Sequence, residues 1–186
     1  MTRFAPSPTG CLHLGHVAHA WWVWETARRR GGSVVLRIED HDRVRCRAEY
    51  ERQLLDDLRW LGFTPDAGFP PEGTAAPSPW RQSDCDDDYR AVLDELAARG
   101  LVYACTCSRS DIARVAGRVP GPNGELPYPG TCRDRGLAPG RGRSLRVRLP
   151  DEAVSFTDLR LGAMVQRPAA QCGDLVVRDR LGQESS

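Results

Sequence analysis

Lysine is absent from this chain of 186 residues, in which all 26 basic side chains are arginine. The absence excludes any phosphate-binding or catalytic step that needs a lysine side chain within these residues. Arginine remains, and its planar guanidinium is the natural bidentate partner of carboxylates and phosphates. Since 25 acidic residues leave a formal net charge of +1, the global charge does not indicate a nucleic-acid partner. Contact with RNA would need a local basic patch.

Long hydrophobic runs are also missing. No stretch of about 18 apolar residues occurs, so the sequence predicts no transmembrane helix and no membrane partner. The first residues lack the basic segment and apolar segment that together mark a secreted protein. We therefore expect a cytoplasmic protein, and we expect it to be a monomer. Seven cysteines, an odd number, favour a metal site or free thiols over a disulfide framework in that compartment.

The first forty residues predict a βαβ unit, the start of an α/β fold. Its parts are a strand over residues 3–5, a helix over 16–30 and a strand over 33–39. Val17, Trp21 and Trp24 recur at helical spacing and are predicted to face the core, and Gly31 ends the helix. The second strand is apolar and β-branched, which is typical of a parallel core strand.

Further elements are predicted as helices over 48–61, 86–99 and 110–116 and strands over 101–104, 145–149, 154–157 and 174–178. The last three strands are short and separated by turns, which favours antiparallel pairing. Arg146 and Arg148 lie at alternate positions of one of them. The sequence leaves open whether they contact RNA phosphates or form a solvated strand face.

Two histidines flank the predicted start of the first helix, in the tetrad His13-Leu14-Gly15-His16. The unpaired N–H groups and the positive dipole end of a helix attract anions. Two imidazoles at that point can donate hydrogen bonds to phosphate oxygens, and Gly15 lets a flat ligand approach the backbone. We interpret the tetrad as a nucleotide-phosphate site. A chance pattern or a core histidine is the alternative.

Cysteines bracket a stretch rich in proline and glycine. Cys105 and Cys107 precede it and Cys132 follows it. Thiolates are preferred ligands of structural zinc, and a small loop-rich insert gains stability from such a staple. The spacing leaves the fourth ligand open, with Cys85, Cys172, Tyr128 and a water molecule as candidates.

Several segments resemble class I glutamyl-tRNA synthetases and their shorter relatives, the glutamyl-Q tRNA(Asp) synthetases. The string that begins Arg-Phe-Ala-Pro-Ser-Pro-Thr-Gly at Arg3 and ends Leu-His-Leu-Gly-His at His16 resembles their signature block. Residues 37–42, Arg-Ile-Glu-Asp-His-Asp, resemble the next block at the family spacing. The resemblance runs from Arg3 to about Gln183. It implies a Rossmann-like nucleotide-binding fold of the class I (HUP) type and an ATP-dependent ligase.

The resemblance also implies roles for individual residues. His13 and His16 would be the catalytic histidines that hold the phosphates of ATP and its Mg²⁺ complex, with Gly15 beside them. L-Glutamate would be bound by residues of the signature block and of the second strand, namely Arg3, Phe4, Ala5, Pro6, Ser7 and Glu39. Glu39 would pair with the α-ammonium group of the substrate. The alternative is an internal ion pair between Arg3 and Glu39.

The cysteine segment resembles the zinc element of the glutamyl-Q branch, in which a tyrosine is the unusual oxygen ligand. The resemblance implies one structural Zn²⁺ held by Cys105, Cys107, Tyr128 and Cys132. It favours transfer of glutamate to the queuosine of tRNA(Asp). On this interpretation residues 1–104 are the first half of the catalytic domain, residues 105–178 are a zinc-bearing insert similar to an acceptor-binding domain, and residues 179–186 are a tail.

The family pattern continues into a second half with a KMSKS-type loop, whose lysine stabilises the transferring phosphates. A chain without lysine does not contain that residue. We therefore expect a C-terminally truncated synthetase with weak or absent adenylation by this chain alone. Alternatives are part of an ordinary glutamyl-tRNA synthetase that charges tRNA(Glu), a non-catalytic nucleotide- or RNA-binding fragment, and a small-molecule nucleotidyltransferase. The signature block and the cysteine segment argue against the last.

Overall fold

The computed structural model describes residues 1–70, 78–116 and 126–182. The helices are α1 (Leu14–Arg29), α2 (Ala48–Trp60), α3 (Asp86–Ala98), α4 (Arg109–Ala116) and α5 (Pro168–Cys172), and a 3-10 helix spans Gln82–Cys85. The strands are β1 (Thr2–Phe4), β2 (Val34–Leu36), β3 (Val102–Cys105), β4 (Ser144–Val147), β5 (Val154–Asp158), β6 (Gly162–Gln166) and β7 (Val176–Arg178). In the described part of the chain, no helix has the length and apolar character needed to cross a bilayer.

The chain forms two compact units, Met1–Tyr89 and Arg90–Ser186, and the boundary between them falls within α3. The division at residue 104 into a catalytic half and an insert stays a prediction, since it rests on function rather than on compactness.

The first unit contains the predicted βαβ arrangement. Strands β1 and β2 pair in parallel, with Arg3 opposite Val35, and α1 connects them and packs on both. Strand β2 is shorter than predicted. Backbone hydrogen bonds continue on both sides beyond it. The N–H of Arg37 donates to the carbonyl of Phe4 over 2.9 Å, and the N–H of Ile38 donates to the carbonyl of Trp80 over 2.8 Å.

The core of the first unit is apolar and is drawn from β1, α1, β2 and α2. Its buried members are Phe4, Ala20, Val23, Trp24, Ala27, Val34, Leu36, Ile38, Leu54, Leu55 and Leu58. The predicted inward face of α1 was wrong at Trp21, which is 51% exposed. The buried stripe is Ala20, Val23, Trp24 and Ala27, at helical spacings of three and four. Small side chains on this stripe let α1 lie close to the two strands.

The second unit is antiparallel, as predicted. Strands β3, β4 and β7 form a three-stranded sheet with β4 in the centre, and β5 and β6 form a separate hairpin. The sequence did not predict β6 or α5. The end of β3 carries Cys105, which is fully buried, and this position brings the cysteine segment into the interior of the unit.

Candidate functional sites

The two histidines of the tetrad cap the first helix. His13 is the N-cap residue of α1, and its Nδ1 accepts the N–H of Gly15 over 3.1 Å. In return, the N–H of His13 donates to Nδ1 of His16 over 3.2 Å. The pair forms a reciprocal capping box, with imidazoles in the places that a serine or threonine and a glutamate commonly take. The ring centroids lie 3.9 Å apart.

This arrangement fixes how the two rings can bind a ligand. Because each Nδ1 accepts a backbone hydrogen bond, the neutral ring carries its proton on Nε2 and keeps one donor available. Burial lowers the pKa of His16, and the nearby His13 and His19 lower it further, so His16 is neutral at pH 7. The first turn of α1 contains no acidic residue to offset the positive dipole end. The helix start therefore presents two imidazole donors suited to an anion.

Gly15 is required by the ring of His13. A Cβ at position 15 would lie 2.9 Å from Cε1 and 3.1 Å from Nδ1 of that ring. The sequence interpretation gave Gly15 only the role of admitting a ligand. The structure adds an internal reason, because a larger residue would displace the histidine that caps the helix.

The predicted glutamate-binding residues lie at the carboxyl end of the β1–β2 pair. The N–H of Glu39 donates to the carbonyl of Pro6 over 3.1 Å, which holds the segment after β1 beside the segment after β2. Arg3 and Ser7 are exposed, and Ala5 is half-buried. Ligands of α/β folds bind at this edge of a parallel sheet. The role of these residues in binding glutamate stays a prediction.

Two members of that predicted set face the core. Phe4 is 1% exposed and packs edge-on against Trp24, and Pro6 is buried as well. Any contact they make with a ligand would come from the backbone. Glu39 Oε1 lies 2.9 Å from Arg37 Nε in an ion pair within the same segment. That pair can fix the direction of the Glu39 carboxylate.

A polar network that the sequence interpretation missed lies beyond this edge. Arg81 donates to Glu51 over 2.7 Å and to Asp40 over 3.2 Å, while the N–H and Oγ of Ser83 donate to Asp40. Burial alone would raise the pKa of Asp40, but the hydrogen bonds from Ser83 and the charge of Arg81 lower it. These residues line a cavity of about 390 Å³. The available signal was the sequence Arg-Gln-Ser at residues 81–83, which also resembles a segment of the glutamyl-tRNA synthetases.

The second unit gathers the predicted metal ligands. The sulfur atoms of Cys105, Cys107 and Cys132 lie within 4.8 Å of one another, with 3.5 Å between those of Cys107 and Cys132. The Tyr128 oxygen joins them, 3.3 Å from Cys105 Sγ and 3.8 Å from Cys107 Sγ. Of the two other cysteines considered as a fourth ligand, Cys85 lies in the first unit and donates to backbone carbonyls there. Cys172 is outside the three-cysteine group.

The electrostatics of this cluster suit a cation. Burial alone would raise the pKa of Cys132, but hydrogen bonds from Thr106, Cys107 and Tyr128 lower it to about 6, so its thiolate forms readily. Burial and the contact with Cys132 raise the pKa of Cys107 to about 11. Burial also raises the pKa of Tyr128. Three sulfurs and one phenol oxygen within bonding reach of a common centre match the tetrahedral donor set of a structural metal.

Tyr128 is held in place at its backbone and at its phenol oxygen. Its N–H donates to the carbonyl of Cys172 over 3.0 Å, and its Oη accepts the N–H of Cys132 over 2.8 Å. Gly173, with φ at +66°, passes so close that a Cβ there would lie 2.2 Å from the Tyr128 carbonyl oxygen. Arg146 is buried with its guanidinium over the Tyr128 ring, so it neither forms a solvated strand face nor is free to contact RNA.

Comparisons with known proteins agree with this description. A family model described as "tRNA synthetases class I (E and Q), catalytic domain" matches residues 1–177. A glutamyl-Q tRNA(Asp) synthetase of Rhodobacter capsulatus is 50% identical over 166 residues, which are 87% of this chain and 52% of that protein. A second, of Symbiobacterium thermophilum, is 44% identical over 94% of this chain and 56% of its own length.

Ordinary glutamate–tRNA ligases are also similar. One from Frankia casuarinae is 42% identical over 94% of this chain and 34% of its own length. A crystal structure of a glutamate tRNA ligase from Elizabethkingia meningosepticum in complex with its amino acid superimposes with a TM-score of 0.72 at 25% identity. The match covers 99% of this chain and 39% of that one. The chain spans about half the length of the glutamyl-Q relatives that it matches.

Proposed function

Since the chain belongs to the class I tRNA synthetases for glutamate and glutamine, we propose that it serves the ATP-dependent activation of L-glutamate and its transfer to the queuosine of tRNA(Asp). Activation joins the glutamate carboxylate to the α-phosphate of ATP as glutamyl-adenylate, with pyrophosphate as the leaving group. We place the protein in the cytoplasm, as a monomer that meets its tRNA there.

The observation that carries this proposal is the pair of imidazole donors at the start of α1. His13 and His16 hold their free Nε2–H groups at the positive end of a helix, beside the carboxyl edge of the β1–β2 pair. Preorganised donors of this kind stabilise the negative charge that develops on transferring phosphates. We propose that Arg3, Ser7 and Glu39, on the two strands and the segments that follow them, bind the amino acid whose carboxylate attacks the phosphate.

We also propose that Cys105, Cys107, Tyr128 and Cys132 hold one structural Zn²⁺. When bound, the ion would link the end of β3 to the segment at 128–132 and stabilise the second unit. Support comes from the donor chemistry, because three thiols and a phenol gather in a small interior with few other apolar side chains. Mg²⁺ would accompany ATP at the first unit.

The choice between the two kinds of tRNA rests on the relatives and on the tyrosine. Relatives named glutamyl-Q tRNA(Asp) synthetase reach 44% and 50% identity, and Tyr128 lies among the three thiols as the glutamyl-Q resemblance implies. The second candidate is charging of tRNA(Glu), which the Frankia casuarinae ligase favours by its 42% identity.

The ATP site is tested by equilibrium binding. We expect His13→Ala and His16→Ala to weaken binding of ATP, and of a non-hydrolysable glutamyl-adenylate analogue, by about tenfold or more, since each removes a phosphate donor and half of the capping box. His41→Ala is the matched control, because His41 lies in the same unit and contacts Gln82 instead. If His13→Ala and His16→Ala both bound ATP as tightly as the wild type and His41→Ala do, the site would be excluded.

The transfer step is tested with labelled glutamate, ATP and Mg²⁺. Because this chain contains no lysine for a KMSKS-type loop, we expect only weak labelling. That label should appear on tRNA(Asp) that contains queuosine and not on the same tRNA without it. Label on tRNA(Glu) would support the second candidate. Tight ATP binding with no glutamate-dependent pyrophosphate exchange would instead favour a nucleotide-binding fragment.

A further inference from the structure

Arg146 is a buried cation in the second unit, only 7% exposed. It lies on the central strand β4, opposite Tyr103 of β3, and its Nη1 donates to the carbonyl of Asp174 over 2.6 Å. Its guanidinium carbon lies 3.7 Å from the centroid of the Tyr128 ring, a close cation–π contact. The same ring carries the phenol oxygen that faces the three thiols.

A buried guanidinium requires compensation by negative charge or by hydrogen bonds. Arg146 contacts the carbonyl of Asp174, and the carboxylate of that residue is engaged by other groups. Tyr103 donates to its Oδ2, while Arg133 and the N–H of Leu149 donate to its Oδ1. Arg146 Nε has no hydrogen-bond partner within the described ranges. The cation therefore has only partial compensation from its own strand and from Asp174.

The cluster of candidate ligands would supply the missing negative charge. Three thiolates and one phenolate around a divalent cation leave the loaded site with an excess of two negative charges. Arg146 covers the face of the oxygen ligand, and Arg135 Nη1 lies 3.9 Å from Cys132 Sγ. Two arginines thus approach the site on the side of Tyr128 and on that of Cys132.

We propose that Arg146 is a positioning residue of the metal site, which holds the Tyr128 ring against the three thiols and offsets the negative charge of the loaded site. This inference rests on the proposed zinc site. Tyrosine is a rare ligand beside three cysteines, and a stacked guanidinium gives it both a fixed ring plane and a neighbouring positive charge. Partners outside the ligand set commonly change metal affinity by about 10- to 100-fold.

Arg148, one residue beyond the end of β4, is the control. It also stacks on a tyrosine, with its guanidinium carbon 4.9 Å from the Tyr103 ring, and it pairs with Asp134 on the surface. Its tyrosine donates to Asp174 and is not one of the candidate ligands. Arg148 also donates to the carbonyl of Arg133, the neighbour of Cys132. Arg148→Met therefore removes the same chemical group and a contact of the Cys132 segment, but it leaves the oxygen ligand and the cation over its ring in place.

The test measures zinc affinity by competition with a chromophoric chelator, together with the absorption spectrum of the Co²⁺-loaded protein. We expect Arg146→Met to weaken zinc binding by about 10- to 100-fold and to change the Co²⁺ ligand-field bands, because the oxygen ligand is lost or displaced. Arg146→Lys keeps the charge without the planar stacking and should give an intermediate affinity. If Arg146→Met fails to fold, Arg146→Lys still tests the inference by its zinc affinity.

A double-mutant cycle then measures how much of the effect of Arg146 on zinc affinity depends on Tyr128. In a Tyr128→Phe background, Arg146→Met should weaken zinc binding much less, because the ligand that Arg146 positions is gone and the loaded site carries one negative charge fewer. An unchanged affinity in Arg146→Met would overturn the inference, and so would full additivity with Tyr128→Phe. An equal loss in Arg148→Met, with the same change in the Co²⁺ bands, would also overturn it. A wild-type chain that binds no zinc would overturn the proposed metal site itself, which separates the two failures.

Discussion

The candidate functional residues of the first unit are mostly exposed or half-buried, whereas those of the second unit are mostly buried. In the first unit, His13, Arg3 and Ser7 are exposed and rest on an apolar core that is complete without them. In the second unit, the candidate ligands are the core, because Cys105, Tyr128 and Cys132 are its buried members together with Tyr103. Function in the first unit is an addition to a stable scaffold, whereas in the second unit the ligand set and the scaffold are the same residues.

The difference predicts how each unit responds to damage. Removal of a binding residue from the first unit should cost affinity and little stability. Removal of a ligand from the second unit should cost both. The following four changes test this contrast, in descending order of expected effect.

Cys105→Ser should remove metal binding almost completely and destabilise the second unit, because Cys105 is a fully buried member of both the ligand set and the core. Elemental analysis would give the zinc content, and thermal unfolding would give the stability. Cys172→Ser, a change outside the three-cysteine group, is the control and should keep full zinc. A Cys105→Ser variant with the zinc content of the wild type would contradict the prediction that ligands of the second unit carry both metal binding and stability.

Leu58→Ala should destabilise the first unit by about 2–5 kcal/mol, since Leu58 is fully buried in its apolar core. Zinc content should not change, because no metal ligand lies in that unit's core. Urea unfolding followed by tryptophan fluorescence measures the loss. Val44→Ala, at a position 79% exposed, should change the unfolding free energy by no more than about 0.5 kcal/mol.

Gly15→Ala should weaken ATP binding by about tenfold, or about 1.4 kcal/mol, because the new Cβ would push the His13 ring from its capping position. The stability of the unit should change little. The greater helix propensity of alanine, worth up to about 1 kcal/mol, offsets the loss of the cap. Gly10→Ala is the control, since a Cβ there meets nothing within 4 Å. A Gly10→Ala variant that lost as much affinity would refute the steric explanation.

Acidification should produce the smallest effect. The pKa of His16 in the folded chain lies below its ordinary value of 6.5, so the neutral ring contributes stability that is complete above 6.5. That contribution is lost as the pH falls through the folded pKa, because a protonated Nδ1 cannot accept the N–H of His13. The loss should stay below about 1 kcal/mol, the value of one helix cap.

The comparison of unfolding free energy at pH 7.5 and pH 5.5 measures this effect. His16→Gln keeps an acceptor at the third helical position, which suits the capping box, but does not titrate. It should therefore reduce the difference between the two pH values. An identical difference in the wild type and in His16→Gln would show that another group is responsible.

Local patterns made much of this fold predictable. The alternation of strand, helix and strand at the start of the chain predicted the parallel pairing of β1 with β2, and the short later strands predicted antiparallel pairing. The cysteine spacing and the resemblance together predicted the cluster that includes Tyr128. Each of these features depends on residues close in sequence or on a known motif.

Features set by tertiary contacts were not predictable. Arg146 occupies a strand position whose pattern suits either solvent or RNA, and only the proximity of Tyr128 explains why it is buried. Trp21 fits a helical stripe as well as Ala20 does, and only the rotation of α1 against the strands decides that Ala20, Val23, Trp24 and Ala27 are buried. The reciprocal cap of His13 and His16 depends on ring orientation, which residue spacing does not specify.

The cluster in the second unit also acts as a crosslink that closes a loop of the chain. It brings Cys107 and Tyr128 together and thereby closes the chain between them into a ring. The entropic cost of such a ring grows only with the logarithm of its length, so that each doubling adds about 0.6 kcal/mol. A change in the length of the chain between Cys107 and Tyr128 should therefore alter the stability of the second unit only slightly.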